Sequence, residues 1–293
     1  MTPFRMFAVF DEDTTARPPR GLDLDLRPHH SVFDEETSRE HKRKCSMTLD
    51  ECYAHSRPDS RQKVELGDGN GFTFELSPFC HHAHKDGVSV LFSGEVAEWP
   101  GIDMVQSAHD AFIRGEEADV SRNDATWLLD FYDTFKNFTS LDITDEALDS
   151  LARVRGQFAF IIYDQIQRRV LAARDRDGTQ PLYWGGSQDG RFMFGTDLVD
   201  LMDCNPSATP FPAGTLYCSD ENTMAVSPGE KGWVIAREPW PGHLMSFVRG
   251  HAVQNKWRGI RAIPRLDAQG MMCGAVYRVA SERSVAGLVP DIA

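Results

Sequence analysis

The sequence predicts an α+β fold of stacked antiparallel sheets covered by helices. Three observations predict it. Short apolar or period-two segments recur along the chain without regular strand–helix alternation. Turn pairs such as Asp177-Gly178 and Asp189-Gly190 lie among them. Three other stretches carry apolar residues at helical spacing.

Met6–Phe10 is an apolar run suited to a buried strand. Residues 72–76 alternate with period two, and residues 88–92 form a strand that ends at Ser93-Gly94. Ile102, Val105, His109, Phe112 and Ile113 follow Pro100-Gly101 at helical spacing. Asn123 or Asp124 caps a helix that carries Trp127, Leu128, Phe131, Tyr132 and Phe135. Leu148, Leu151 and Val154 make a third helix, with Gly156 as its C′ residue. Strands follow at residues 158–163, 170–173, 181–184, 192–194, 214–217 and 274–279, and Thr196 or Asp197 opens a short helix through Leu201.

Composition narrows the classes. The 293 residues are 41% hydrophobic and 26% charged, which suits a globular protein of one large or two small domains. The net charge of −13 argues against nucleic acid and anionic membrane surfaces as partners. No apolar run approaches the length of a spanning helix, and residues 1–5 lack a signal peptide's apolar stretch. Six cysteines without a CxxC pair fit a reduced, cytoplasmic protein. Gly67-Asp68-Gly69-Asn70-Gly71 lacks the Lys-Ser/Thr of a phosphate loop and reads as a hairpin turn, so no cofactor is expected.

The charge is uneven. Residues 11–51 are polar and Pro-rich and read as a mobile insertion, and residues 116–149 form a second acidic block. Residues 231–283 hold nine basic and three acidic residues, which makes this segment locally basic.

Three motifs then coincide. The run from Gly156 to Asp164 reads GQFAFIIYD, residues 169–184 read RVLAARDRDGTQPLYW, and residues 211–215 read FPAGT. In order and spacing they resemble the class II glutamine amidotransferase domain, as in the N-terminal part of asparagine synthetase. The likeness extends to the plant aluminium-induced (stem-specific) proteins, which share the ending GHLMSF at 242–247 and AIPR at 262–265. The resemblance implies the N-terminal-nucleophile sandwich, with two antiparallel sheets between helical layers. It assigns an N-terminal extension to residues 1–5 and the domain to residues 6–280, with a family-variable insertion at 220–258 and a tail at 281–293. It also implies a homodimer. A synthetase domain would need roughly 200 further residues, so the amidotransferase-like part alone is expected.

The same likeness carries the site. The family begins M-C-G-I, and the Cys attacks the glutamine amide with its free α-amine as base. Met6-Phe7-Ala8-Val9 stands there, so Phe7 occupies the nucleophile position, and five residues precede Met6. A phenyl ring has no lone pair to attack with, and losing a nucleophile costs about a million-fold in turnover by analogy with hydrolase knockouts. The family's N-G-E becomes Ser93-Gly94-Glu95: the Gly94 amide persists, Ser93 replaces a longer donor, and losing one oxyanion donor costs about 100- to 1000-fold. Ser93-Gly94 reads equally as a strand-ending turn.

Asp124 falls where the family's Asp meets the glutamine α-amine, and it also suits a first-turn carboxylate on the helix dipole. Glu75 falls where a carboxylate-binding Arg is expected; Arg57 or Arg61 are the substitutes. Arg174 and Asp175 imply a structural ion-pair or turn network.

The resulting expectation is a non-catalytic domain that binds or scaffolds, with Ser93, Gly94, Glu95 and Asp124 as a vestigial or retained pocket for an amino-acid-like ligand. One alternative is an active amidohydrolase, or a subunit feeding ammonia to a partner, using another nucleophile such as Thr2 or Cys80. Another is a metal- or stress-responsive protein using Cys80, His81, His82 and His84. Residues 79–84 otherwise read as a surface loop without metal.

Overall fold

The computed structural model describes residues 5–11, 35–54, 61–100, 123–134, 145–187, 191–204, 208–219, 243–250, 257–266, 269–270 and 272–281. The helix expected at 102–113, the turn at 189–190, and Thr2 and Arg57 lie outside them.

The first sheet is built on β1 (Met6–Phe10). Together with β2 (Arg61–Gly67), β3 (Asn70–Glu75), β8 (Tyr183–Gly186), β9 (Phe192–Gly195) and β10 (Thr209–Pro210) it runs in the order β10-β8-β9-β1-β3-β2. The second contains β4 (Cys80–Lys85), β5 (Val88–Glu98), β6 (Arg155–Asp164), β7 (Arg169–Arg174), β11 (Thr215–Cys218) and β12 (His243–Ser246), in the order β12-β11-β7-β6-β5-β4. Neighbouring strands within both sheets are antiparallel. A separate hairpin joins β13 (Ile260–Leu266) to β14 (Met272–Val279).

Side-chain alternation converts these sheets into four layers. Met6, Ala8 and Phe10 point between the sheets, where they meet Phe72, Phe74, Leu91, Ile161 and Tyr217. Phe7 and Val9 point the other way, against helix α1 (Glu35–Ala54). On the far side, Val90, Phe92, Phe160 and Ile162 pack under α2 (Asp124–Asp133) and α3 (Asp145–Arg153). The order helix, sheet, sheet, helices is therefore the αββα sandwich implied by the resemblance. No helix among the described residues is long and apolar enough to cross a membrane.

Several local expectations are corrected. Residues 11–51 do not all form a mobile polar insertion, because residues 35–54 make α1. Cys45, Thr48, Leu49 and Cys52 are buried at positions i, i+3, i+4 and i+7, one helical face. Gly71 on β3 lets that face close, since a Cβ there would collide with the Leu49 side chain and approach the Val64 carbonyl. β5 does not stop at Ser93-Gly94 but pairs with β6 as far as Glu98. Gly156 lies in β6 and is not the C′ residue of α3. Within the expected insertion at 220–258, residues 243–246 form the edge strand β12.

Tyr132 of α2 donates a 2.7 Å hydrogen bond to Asp164 at the end of β6, which fixes the outer helix to the second sheet. Asp164 in turn accepts from the backbone N–H of Ile166 and Gln167, closing the β6–β7 turn.

The packing of α1 makes a measurable prediction. Leu49, 1% exposed, is its central anchor. Leu49→Ala is expected to cost about 2–5 kcal/mol. The loss should appear as a lower urea midpoint with an unchanged slope.

Candidate functional site

Phe7, expected at the nucleophile position, is a core residue. Phe7 is fully buried on the outer face of the first sheet, in the layer that also holds Leu49, Met193 and Leu201. Its register partners are Thr73 on one side and Gly195 on the other. Backbone bonds stitch the strand before it in place. The Met6 N–H donates to Thr196 Oγ1 at 3.0 Å, and Thr196 N–H donates to Met6 O at 3.0 Å. Upstream, Glu75 N–H donates to Arg5 O, and Arg5 forms an ion pair with Asp197 at 2.8 Å.

Ser93 and Gly94 come next, on the strand facing across the sandwich. Ser93 is fully buried, and its hydroxyl accepts from Gln180 Nε2 at 2.5 Å. The Gly94 N–H, the expected oxyanion donor, instead donates to Phe79 O at 2.8 Å. Gly94 has φ 131°, and a Cβ there would collide with the Gln157 carbonyl. The glycine is thus required for β5 to approach β6.

Gln180 belongs to a loop built by the motif residues Arg174 and Asp175. Asp175 accepts from the N–H groups of Asp177, Thr179 and Gln180 at 3.1, 3.0 and 2.8 Å. Arg174 donates to the carbonyls of Gln180, Phe211 and Gly178 at 2.7, 3.0 and 2.5 Å. Burial lowers the pKa of the Arg174 guanidinium, and the Asp175 carboxylate opposes that shift. The two side chains bond separate backbone groups and form a turn network.

Asp124 opens α2 just after Asn123, whose side chain caps the helix by accepting from Thr126 N–H at 3.1 Å. The Asp124 carboxylate accepts from Trp99 Nε1 at 2.9 Å and from Val96 N–H at 3.4 Å. Burial raises its pKa, and the Trp99 bond pulls it back; His81 and Glu95 act on it electrostatically. Glu95, the other carboxylate expected to bind an ammonium, is exposed.

Arg61 is buried at the start of β2, separated from the strand of Phe7 by β3. It donates to Thr73 Oγ1 at 2.9 Å and faces Asp200 at 3.7 Å. Burial lowers its pKa, and Asp200 opposes the shift. Its charge therefore already has an internal counter-ion. Glu75 is opposite Arg61 in the β2–β3 register.

Residues 80–84 are not a loop but part of β4. Cys80 is buried between the sheets, opposite Ser93. Burial pushes its thiol up to about 12, so it stays protonated and unreactive at neutral pH. His81 Nε2 lies 2.8 Å from Pro78 O, His82 packs against the Phe72 and Phe74 rings, and His84 Nδ1 lies 2.8 Å from Ser89 Oγ. Among the described residues no group of three or more His, Cys, Asp and Glu side chains could hold a metal ion.

Sequence reasoning missed Gln180, the Phe79 carbonyl and Thr196 as site partners. Gln180 lies inside the 169–184 motif, but its bond to Ser93 spans 87 positions, and no local pattern reports such a distance.

Comparison with known proteins supports the motif reading. Residues 121–228 match the family described as aluminium induced protein. The chain is also similar to a probable glutamine-hydrolyzing asparagine synthetase of Dictyostelium discoideum, 32% identical over 95 residues, covering 32% of this chain and 17% of that protein. It is 36% identical over 69 residues to asparagine synthetase 2 of Arabidopsis thaliana, covering 24% of this chain and 12% of that protein. The matched segments thus span less than a fifth of either relative. A solved glutamine aminotransferase class-II domain protein from Silicibacter pomeroyi is 15% identical, with 74% of this chain and 87% of that one covered and a TM-score of 0.36. The domain is class II amidotransferase-like and aluminium-induced-protein-like by these likenesses, and its layer order follows from its own strand pairing.

His82 supplies a pH prediction. Burial, then the like charge of His84, lowers its pKa from 6.5 to about 4. Between those values the unfolded chain binds a proton that the folded chain refuses. Stability from this group is complete above pH 6.5 and lost as the pH falls toward 4. Urea midpoints should fall between pH 7 and pH 5, and His82→Leu should flatten that slope.

Proposed function

We propose that this domain does not hydrolyse glutamine and serves as a binding or scaffolding unit, acting as a cytoplasmic homodimer. One observation carries the reading: Phe7, at the nucleophile position, is fully buried between the first sheet and α1. Two further features support it. Ser93 is bonded to Gln180, and the Gly94 N–H is bonded to Phe79 O, so neither is directed at a developing oxyanion. Cys80, the alternative thiol, is buried and protonated.

A second reading keeps a ligand. Exposed Glu95, whose charge acts on Asp124, suits the ammonium group of an amino acid, and binding there would not require turnover. Glutamine titrated into the full chain would then bind, and Glu95→Gln would abolish binding.

The test of the main reading is turnover. Purified full-length protein given glutamine should release no glutamate above the blank. Phe7→Cys should not create activity, because the oxyanion donors remain committed elsewhere, and it should cost about 3 kcal/mol in stability from the lost ring. Glutamate release that survives Phe7→Ala but disappears with Cys80→Ala would overturn the proposal. Sedimentation equilibrium checks the dimer.

A further inference from the structure

A cavity of about 590 Å³ lies between the β13–β14 hairpin and the loops following β7 and β10. That volume is in the range of small-molecule sites. Its residues include Arg174, Arg176, Arg258 and Arg278, with Asp177 as the one carboxylate among them. In a chain of net charge −13, four arginines converge on one cleft.

These arginines play different parts. Arg174 spends one N–H on each of its three nitrogens on backbone carbonyls, so its position is fixed and it contributes chiefly charge. Arg258 on the approach to β13 adds a second fixed charge. Arg176 and Arg278 are exposed, and among the described residues neither bonds to a carboxylate. Moreover, Arg278 stands directly opposite Arg261 across the hairpin. The remaining wall is apolar: Phe211 and Val248 are buried, and Val276 is half-buried.

From this combination we infer that the cleft binds a small organic anion, with a carboxylate or phosphate ester held by Arg176 and Arg278 and an apolar body against Phe211, Val248 and Val276. None of these residues belongs to the Phe7–Asp124 site, so the inference is independent of whether glutamine is hydrolysed.

Calorimetric titration of the full-length protein tests it with four probes: phenyl phosphate, phenylacetate, inorganic phosphate and benzyl alcohol. At least one organic anion is expected to bind with a Kd of about 1 mM or tighter, while benzyl alcohol does not saturate. Arg176→Gln and Arg278→Gln should each weaken binding about tenfold, the scale of one charge-assisted hydrogen bond. Tighter phenyl phosphate assigns the head group as phosphate, and tighter phenylacetate assigns it as carboxylate. Both positions are exposed, so one folded variant suffices if the other fails to fold. The inference is overturned if neither organic anion saturates, if affinity is unchanged in the folded variants, or if inorganic phosphate or benzyl alcohol binds as tightly as the organic anions.

Discussion

The burial of β1 on both faces is the constraint on which the rest of the structure depends. The strand lies between β9 and β3, with Met6, Ala8 and Phe10 in the inter-sheet core and Phe7 and Val9 beneath α1. A strand so placed has no solvent side, so each of its positions is chosen for volume. Full burial of a Phe side chain contributes about 1.5–3 kcal/mol. A polar thiol-and-amine pair at the same position would need partners and an open path to substrate. Phe7 makes the position a packing site, and α1 closes over it through Leu49 and Cys52.

The polar groups at that end of the sandwich follow the same logic. Buried backbone and side-chain groups must be paired, because an unmade bond costs about 1–3 kcal/mol. Ser93, Gly94, Asp175 and Arg174 are paired almost wholly with the protein's own backbone and with Gln180. The best-matched motif therefore specifies a turn and the docking of a loop. Its resemblance to the family bears on fold, and chemistry has to be argued from the atoms that would react.

What was legible in the sequence follows from range. β1, β3, β6 and β7 could be read because their apolar residues are dense, and α2 because its cap and apolar face are local. α1 was hidden because its buried face contains only Cys45, Thr48, Leu49 and Cys52 among many charged neighbours. β4 was hidden because three histidines mask a strand whose inward residues are Cys80 and His82. At the candidate site, the apolar residue Phe7 within its strand was legible from the sequence. The partners of Ser93 and Gly94 were not: Gly94 bonds a carbonyl 15 positions upstream, and Ser93 bonds a side chain 87 positions downstream.

The charge distribution also acquires a physical meaning. An excess of 13 negative charges sets the far field, which repels anions at distances beyond about 8–10 Å only weakly once salt is present. Inside the cleft the near field is set by Arg174, Arg176, Arg258 and Arg278. Two of these lie in the basic C-terminal segment, and two lie in the motif that builds the Gln180 loop. Tyr277 of β14 packs against the inter-sheet core and meets Trp184, which holds the hairpin bearing Arg278 against the sandwich. Net charge thus describes how an anion approaches the protein, while the packing of Tyr277 determines whether it meets a positive surface on arrival.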